Sequence, residues 1–311
     1  MKAIMYHYVR PDYPDYPYFS HLHIDNFVKQ IEYFGNKYGF VSLEKFQQSL
    51  RCKTPNKGVI LTFDDGFSDH YKYVFPELKK RNLWGIFYVP TSPYLTGNLI
   101  DVHRIHLLVG KYGGESILSY VKNIINEDML SHKHIKEFHM QTYTRQNNST
   151  YTNQTKRLLN YFIDYKHRNS IINQLMEKFF PDEKDISSNF YISKSELKEM
   201  FDSDMVIGSH TVNHMVMSKL SLADQELEIT RSFDLLDCIV GRSSIKTFCY
   251  PYGGFHTFTT ETEKLLEENN CDFSFNVESR DIDRSDLNSR IQALPRYDCN
   301  QFPYGSLQKK E

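Results

Sequence analysis

Short apolar runs alternate with amphipathic segments along the chain. Lys2–Tyr6 and residues 58–63 are apolar and of strand length, whereas residues 24–38 carry apolar side chains at helical spacing. The same criteria predict further helices at 42–50, 70–81, 193–201, 221–240 and 260–269, and further strands at 84–90, 246–250, 273–277 and 291–295. Repeated strand and helix units in one chain predict a parallel α/β barrel.

Residues 101–180 interrupt this alternation, because they form a long, polar and mostly helix-like segment. We therefore predict a single domain over residues 1–311 with a helical insertion at about 101–190 and a polar tail at 305–311. An amphipathic stripe within residues 156–180 fits a cover over a cleft, a contact with another subunit or a cap on the barrel. Periodicity alone does not choose among these three.

Two adjacent carboxylates, Asp64 and Asp65, stand at the end of the strand predicted for residues 58–63, and Gly66 follows them. Where a strand breaks into a glycine turn, neighbouring side chains can converge on one cleft. One carboxylate would then bind a cation while the other takes a proton. The alternative is a helix N-cap with a spare acid, because Asp often starts the helix that follows such a turn.

A second polar cluster follows a predicted strand in residues 206–214 and contains His210 and His214. If this segment enters a helix, the two histidines share one face and both imidazoles reach one metal. A pair of ordinary surface histidines is the alternative. Together with Asp65, the pair makes a set of nitrogen and oxygen ligands suited to one divalent metal, Zn²⁺ first and Co, Ni, Mn or Fe after it, with positions left for water and substrate.

The motifs TFDDG at 62–66 and H-[ST]-x-x-H at 210–214 occur in this order in the polysaccharide deacetylases, the carbohydrate esterase family 4 or NodB-homology family, which the chain resembles. The resemblance covers nearly the whole chain apart from the insertion and the tail. It implies a distorted (β/α)7-type barrel. It also implies that Asp64 is the general base and that the Asp-His-His set holds the metal.

The third motif of this family, Arg-x-Pro-Tyr, is altered here. Residues 248–253 read Phe-Cys-Tyr-Pro-Tyr-Gly, which keeps Pro-Tyr-Gly and lacks the arginine that orients the general base. Arg296, entering from the last predicted strand, is the candidate substitute. An ion pair with Asp298 on the barrel rim is the alternative for this arginine.

The resemblance also implies roles for the Pro-Tyr-Gly turn. A backbone N–H near Tyr252 would complete an oxyanion site, and removing such a donor typically lowers the rate by about a hundredfold or more. Tyr250 and Pro251 are candidate substrate contacts on the same turn.

His7 follows the first predicted strand, and by spacing alone a satisfied core histidine is the alternative to a functional one. One branch of the family, which includes the biofilm poly-N-acetylglucosamine deacetylases, is circularly permuted and carries Tyr-His near its start instead of a catalytic histidine near its end. Residues 5–7, Met-Tyr-His, fit that branch, and residues 294–297 contain no histidine. The resemblance therefore implies that His7 protonates the departing nitrogen.

Arg104 and His103 follow the C-terminal end of a predicted strand, the edge that faces the ligand in α/β folds. They are candidate substrate contacts, with Arg104 placed to meet a phosphate or an acid on the substrate. A solvated helix start is the alternative.

Composition narrows the choice of partners and compartment. A formal net charge of −2 gives no electrostatic reason to expect a nucleic acid or an anionic membrane as partner. The 22 Tyr and 22 Phe suit either sugar stacking or the core of a protein from an AT-rich genome. The chain has five cysteines, an odd number, and no two of them form a C-x-x-C pair. No segment resembles a signal-peptide core or a membrane span. We therefore expect a cytoplasmic protein.

These observations predict a metal-dependent deacetylase that removes an N-acetyl or N-formyl group from a small amino sugar. The expected substrate is a nucleotide- or lipid-linked precursor of a surface polysaccharide. Two alternatives stay open: a binding or scaffold protein on a catalytically impaired deacetylase fold, indicated by the altered third motif, and an amidohydrolase acting on a non-sugar amide. The sequence does not predict an oligomeric state.

Overall fold

A computed structural model describes residues 1–131, 135–143 and 148–308. The chain divides into two compact units. The sheet unit comprises Met1–Pro11, His21–Thr96 and Asn189–Leu307, and the helical unit consists mainly of Asp12–Ser20 and Gly97–Ser188. The helical unit thus contains most of the segment that was predicted as an insertion. Residues 309–311 of the predicted tail lie outside the described residues.

The sheet unit is built on parallel strands. In chain order the described strands are β1 Lys2–Tyr6, β2 Val9–Arg10, β3 Leu22–His23, β4 Val59–Phe63, β5 Ile86–Val89, β6 Val206–Ser209, β7 Thr247–Cys249, β8 Phe273–Phe275 and β9 Tyr297–Asp298. Seven of them form one sheet in the order β8-β7-β6-β5-β4-β1-β9, while β2 and β3 pair separately. Strands β4 to β8 are buried throughout, as expected of a parallel sheet covered on both faces.

One chain segment, residues 294–298, joins the two edges of this sheet. Leu294 forms a parallel bridge with Phe275 of β8 and accepts a hydrogen bond from the backbone N–H of Asn276 at 2.9 Å. Immediately afterwards, Tyr297 of β9 pairs with β1 at the opposite edge. The sheet therefore curls into a half-barrel, and the predicted distorted (β/α) barrel is confirmed.

The last strand predicted from sequence is wrong in position. Residues 291–295 were expected to form it, but Ile291–Ala293 is a 3-10 turn and the strand is Tyr297–Asp298. The apolar run packs against β8 and is therefore mostly buried. A buried apolar run of this length looks like a strand in the sequence, which is why the prediction failed.

Helices cover the sheet, and most begin and end where the sequence predicts. In the sheet unit they are Ile24–Lys37, Leu43–Cys52, Phe75–Lys80, Pro93–Thr96, Lys194–Asp202, Leu222–Val240, Thr260–Glu268 and Arg284–Ser289. The hydroxyl of Ser42 accepts from the N–H of Lys45, and that of Ser221 accepts from the N–H of Asp224, so both are N-caps. The helix predicted at 70–81 begins instead with a π-helical turn, His70–Val74, before the α-helix.

The helices of the helical unit pack against one another. Its helices are Asp101–Tyr112, Gly114–Ile124, Ile135–Gln141, Thr150–Arg157, Tyr165–Phe179 and Glu183–Ser187, with a π-helical turn at Leu158–Phe162. Gly114 lets two helices approach closely, since a Cβ there would lie 2.4 Å from the backbone nitrogen of Thr152. The apolar stripe buries Ile171, Ile172 and Leu175 within this unit. No described helix is long and apolar enough to cross a membrane.

Candidate active site

The polar residues singled out in the sequence follow the C-terminal ends of four of the five consecutive strands from β7 to β1 in the sheet order. His7 follows β1, Asp64 and Asp65 follow β4, His210 follows β6, and Tyr252 lies just beyond β7. Because these strands are parallel, their carboxyl ends meet at one edge of the sheet, where α/β proteins bind ligands.

Asp65, His210 and His214 form a compact buried cluster. The Nε2 atoms of the two histidines each lie 3.4 Å from Oδ1 of Asp65, and they lie 3.1 Å from one another. The Nδ1 atom of His210 lies 2.7 Å from the carbonyl oxygen of Cys249. A carbonyl can only accept, so in the neutral ring Nδ1 carries the proton and Nε2 presents its lone pair to the cluster.

The three side chains fit a divalent metal. Four ligands about 2.1 Å from Zn²⁺ at tetrahedral angles lie about 3.4 Å from one another, close to the separations within this cluster. Burial lowers the pKa of His210, but the adjacent Cys249 and Asp65 outweigh burial and raise it well above 6.5. The carboxylate of Asp65, 3.4 Å from both Nε2 atoms, is the group that favours a positive charge at this point. That a metal binds there, and which one, stay predictions.

The two histidines do not converge through a helix, as the spacing argument assumed. Residues 210–214 form a loop in which Thr211 and His214 adopt left-handed backbone conformations, with φ of +66° and +54°. Asp65, with φ of +78°, and Tyr252, with φ of +62°, also adopt this conformation, which is strained for residues other than glycine. Backbone strain concentrated at facing loops is typical of functional sites, and here it turns the ligand side chains toward each other.

Glu228, on the helix after the histidine loop, holds that loop in place. One carboxylate oxygen accepts from the N–H groups of Val212 and Asn213, at 2.9 and 2.8 Å, and the other accepts from the side-chain amide of Asn213 at 2.6 Å. The hydroxyl of Thr211 in turn accepts from the N–H of His214 at 2.8 Å. These bonds compensate the backbone strain and fix the second histidine.

Asp64 lies beside the cluster and is held by Arg296. The guanidinium donates two bonds of 2.8 Å, one to each carboxylate oxygen, and the side chain of Arg296 is fully buried. Burial alone would raise the pKa of Asp64, but the charge and hydrogen bonds of Arg296 outweigh it and lower the pKa below 3.8. Asp64 is therefore a carboxylate near neutral pH. The alternative pairing of Arg296 with Asp298 is wrong.

Arg296 is itself fixed by three other contacts inside the barrel. Its guanidinium donates to the hydroxyl of Thr62 at 3.0 Å and to the backbone carbonyl of Asn276 at 3.1 Å, and Nη2 lies 2.9 Å from the thiol of Cys249. Cys249 is the residue that stands where the third motif of the family has its arginine. An arginine from the closing segment thus fills the space beside Asp64 that the small Cys249 leaves.

His7 stands at the mouth of the cluster. Its Nε2 atom lies 4.0 Å from Oδ2 of Asp65, and its side chain is 42% exposed, so solvent and substrate can reach it. A satisfied core histidine, the alternative drawn from spacing, would be buried. The ring of Tyr252 packs edge-on against His214, with centroids 4.9 Å apart.

The side chain of Tyr250 is not available to a substrate, contrary to prediction. Its ring is buried and stacks on Phe258 at 3.8 Å, and its hydroxyl donates to the carbonyl of Gln292 at 2.6 Å. Successive residues at a strand end point to opposite faces, so Cys249 faces Asp64 while Tyr250 faces the surrounding layer. The neighbouring Pro251 is also buried, and no described contact tests its predicted role.

Arg104 and His103 belong to the helical unit and have structural surroundings there. Arg104 forms a bidentate pair with Glu183, at 2.6 and 3.1 Å, and donates to the side chain of Asn173. His103 is fully buried in its helix. Arg104 is therefore neutralised by a partner on its own unit, and the predicted substrate contacts of both residues stay untested predictions.

Sequence reasoning missed several residues of the site. Glu228, Thr62 and Cys249 hold loops or side chains there through contacts with residues that are remote in sequence. His70 is a fourth, since its Nε2 lies 2.7 Å from the carbonyl oxygen of His7. No periodicity or motif marks Glu228 or His70, whereas Thr62 and Cys249 lie in motifs that do not reveal these contacts. The only available signal was that Cys249 replaces a motif arginine.

The family model for polysaccharide deacetylases, described as "Polysaccharide deacetylase", matches residues 150–274. The matched residues therefore resemble the polysaccharide deacetylases. This match agrees with the predicted resemblance to that family and with the predicted enzyme class, a hydrolase of carbon–nitrogen amide bonds. The matched residues include both histidines of the cluster, whereas Asp64 and Asp65 lie outside them and join the cluster through the fold alone. No curated protein matches the sequence of this deacetylase-like chain.

Solved deacetylase structures share the fold. The Streptococcus pyogenes deacetylase PplD, solved in complex with acetate, is 17% identical, with 98% of this chain and 95% of PplD covered and a TM-score of 0.59. IcaB from Ammonifex degensii is 17% identical over 95% of this chain and 90% of IcaB, with a TM-score of 0.53. The BpsB deacetylase domain from Bordetella bronchiseptica is 13% identical over 96% and 94%, with a TM-score of 0.50.

Proposed function

We propose that the protein is a metal-dependent N-deacetylase of an amino sugar. The observation that carries the proposal is the pairing of two features at one edge of the sheet: a buried Asp-His-His cluster, and a second carboxylate, Asp64, held ionised by a buried arginine. Such a pairing combines a metal site with a proton acceptor, which is what hydrolysis of an amide requires.

Asp65, His210 and His214 would hold the metal. The chemistry that a divalent metal supplies when bound there is polarisation of an acyl oxygen and acidification of water toward a pKa of about 7. Asp64 is the proposed base. It stays a carboxylate at neutral pH because Arg296 lowers its pKa, and the bidentate pair also fixes the direction of its oxygens.

His7 is the proposed acid for the departing amine. Histidine is the side chain that most often acts as a general acid, and the exposed ring of His7 stands 4.0 Å from the carboxylate of Asp65. The backbone N–H of Tyr252 is the proposed oxyanion donor, on the strained turn that faces His214.

The arginine that the third motif lacks was the reason to consider a scaffold protein without activity. The buried pairing of Arg296 with Asp64 supports an active enzyme instead, because an arginine from the closing segment lies beside this carboxylate. Retaining a fully buried charge pair beside a strained loop is costly, and an inactive scaffold gains nothing from it.

For the substrate we propose an N-acetylated or N-formylated amino sugar on a nucleotide or lipid carrier, used inside the cell to build a surface polysaccharide. The five cysteines are free, which is consistent with a reducing compartment. An acylated amide outside the sugars is the alternative substrate.

The experiment is a comparison of acetate release by metal-free and metal-reconstituted protein. Substrates are an N-acetylated sugar nucleotide, an N-acetylated oligosaccharide and a non-sugar acetamide, with products identified by mass spectrometry. We expect release from the sugar nucleotide only after metal is restored, and Asp64→Asn should lower kcat by a factor of about 100 or more while retaining metal. His139→Ala, which removes an exposed histidine of the helical unit, is the matched control and should change neither rate nor metal content.

Three results would contradict the proposal or part of it. Metal-loaded wild-type protein that releases acetate from no N-acetylated sugar would remove the proposed substrate class. Full activity of Asp64→Asn would remove Asp64 as the base. Release from the non-sugar acetamide alone would replace the sugar proposal with the alternative amide.

A further inference from the structure

His70 is a buried histidine that neither the metal cluster nor the proposed proton transfers use. Its side chain is fully buried, and its ring lies between 5.6 and 5.9 Å from the rings of Phe63, Phe67 and Phe87. Its single polar contact in these surroundings is made by Nε2, which lies 2.7 Å from the backbone carbonyl oxygen of His7. Because a carbonyl only accepts, Nε2 carries a proton and donates it.

The hydrogen bond from His70 is made to His7, the first residue after strand β1. β1 ends at Tyr6, whose carbonyl accepts from the N–H of Asp64 at 2.9 Å and completes the ladder. The next carbonyl, that of His7, has left the sheet and accepts from His70 instead. The direction in which the His7 peptide leaves β1 is therefore set by a side chain rather than by a neighbouring strand.

Two further observations set His70 apart from an ordinary core histidine. It opens the π-helical turn His70–Val74, in which the N–H of Phe75 bonds to the carbonyl of His70 five residues earlier. Such turns are rare and are frequent at functional sites. In addition, Nδ1 of His70 is buried and has no hydrogen-bond partner among the described residues. A buried acceptor in this state is unfavourable and calls for a reason to retain the histidine.

Burial keeps the imidazole of His70 neutral. It lowers the pKa of His70 to about 4, against a smaller opposing effect of the bond to His7. The ring therefore holds one proton near neutral pH, on Nε2, and acts as a constant donor rather than as an acid or base.

We propose that His70 is a positioning residue for His7. By holding the His7 carbonyl, it sets the exit of the chain from β1 and so keeps the His7 imidazole next to the carboxylate of Asp65. The inference rests on the proposed function only in that His7 acts there as the acid. The position of a reacting group affects the rate strongly, since a displacement of 1 Å lowers the rate by about a hundredfold.

The test is a double-mutant cycle between His70 and His7. His70→Leu removes the donor and keeps an apolar side chain, whereas His70→Gln retains an N–H donor. We expect His70→Leu to lower kcat by about 10- to 100-fold with KM and metal content unchanged, and His70→Gln to recover most of that loss. In the His7→Ala background, His70→Leu should cause no further loss, because the two residues act as one unit.

Trp84→Phe is the matched control. The indole N–H of Trp84 donates to the backbone carbonyl of Val41 at 2.8 Å, ahead of β5 and thus at the opposite end of the barrel. This variant loses the same kind of bond, so it should lower the melting temperature, as His70→Leu does, while leaving kcat unchanged. Equal losses of kcat in both variants would reduce the effect of His70 to general stability and overturn the proposal.

A readout independent of activity separates this inference from the proposed function. The imidazole signals of His7, assigned by their absence in His7→Ala, should change in the NMR spectrum of His70→Leu and return toward wild type in His70→Gln. Unchanged His7 signals, or a His70→Leu effect on kcat that persists in full without His7, would overturn the role of His70. If wild-type protein releases no acetate, the proposed function fails while the NMR comparison still decides the role of His70.

Discussion

Replacing Arg296 with methionine tests the central electrostatic feature of the site. Methionine fills a similar length of the cavity without charge, so Asp64 keeps its carboxylate but loses both 2.8 Å bonds in a place where Arg296 is fully buried. Removing one partner of a buried ion pair costs about 3–5 kcal/mol, because the remaining charge is left uncompensated. We expect the free energy of unfolding at pH 7 to fall by about that amount, and kcat to fall by about a hundredfold or more.

The loss should depend on pH in a definite direction. In the wild type, Arg296 outweighs burial and lowers the pKa of Asp64 below 3.8, so its carboxylate stabilises the fold above that pH and loses this effect as pH falls through the lower folded-state pKa. In Arg296→Met, the arginine that lowers the pKa of Asp64 is absent, so burial raises this pKa. Ionisation of Asp64 then destabilises the folded state as pH rises. The stability difference between the two proteins should therefore be larger at pH 7 than at pH 4.

Urea unfolding of metal-free protein measures these quantities. The set comprises wild type, Arg296→Met, Asp64→Asn and the double variant, with Arg296→Lys as the control that keeps the charge but loses the bidentate geometry. The double variant leaves no unpaired charge, so it should be more stable than the sum of the two single losses predicts, by about 2 kcal/mol. Strict additivity, or wild-type stability of Arg296→Met at pH 7, would refute the buried pair.

Three other predictions address the neighbouring contacts. Elemental analysis should find about one divalent metal per chain in the wild type and none in His210→Ala, because one Asp-His-His set binds one ion; retention of metal would remove His210 from the ligands. Glu228→Ala frees the histidine loop and should weaken metal binding by about 10- to 100-fold in a calorimetric titration, with unchanged helix content by circular dichroism. Tyr250→Phe removes a core hydrogen bond and should lower the unfolding free energy by about 1 kcal/mol with KM unchanged; a higher KM would return Tyr250 to the substrate site.

Much of the sheet unit follows from local sequence signals. Buried strands β1 and β4 are continuous apolar runs, and the caps at Ser42 and Ser221 mark helix starts that the structure has at the same residues. These features depend on neighbours within a few positions, which is why periodicity and capping rules find them. The adjacency of Asp64 and Asp65 at a strand end is of the same kind.

The contacts that complete the site are not local. Arg296 and Asp64 are 232 positions apart, and nothing near Arg296 in sequence distinguishes a buried partner from a rim ion pair. The convergence of His210 and His214 depends on left-handed backbone in their loop, stabilised by Glu228, rather than on helical spacing. Tyr250 was misassigned because a motif gives residue order but not the face of the strand to which each side chain points.

The closing segment, residues 294–298, joins β8 to β1 and also contains Arg296. Closure of the sheet and the contact with Asp64 therefore depend on the same late part of the chain. Asp65, His210 and His214 have all left the ribosome before the segment that contains Arg296 is translated. Asp64 can therefore gain its buried arginine partner only after residues 294–298 have been synthesised and have joined β8 to β1. A segment that is synthesised late thus completes both the sheet and the surroundings of Asp64.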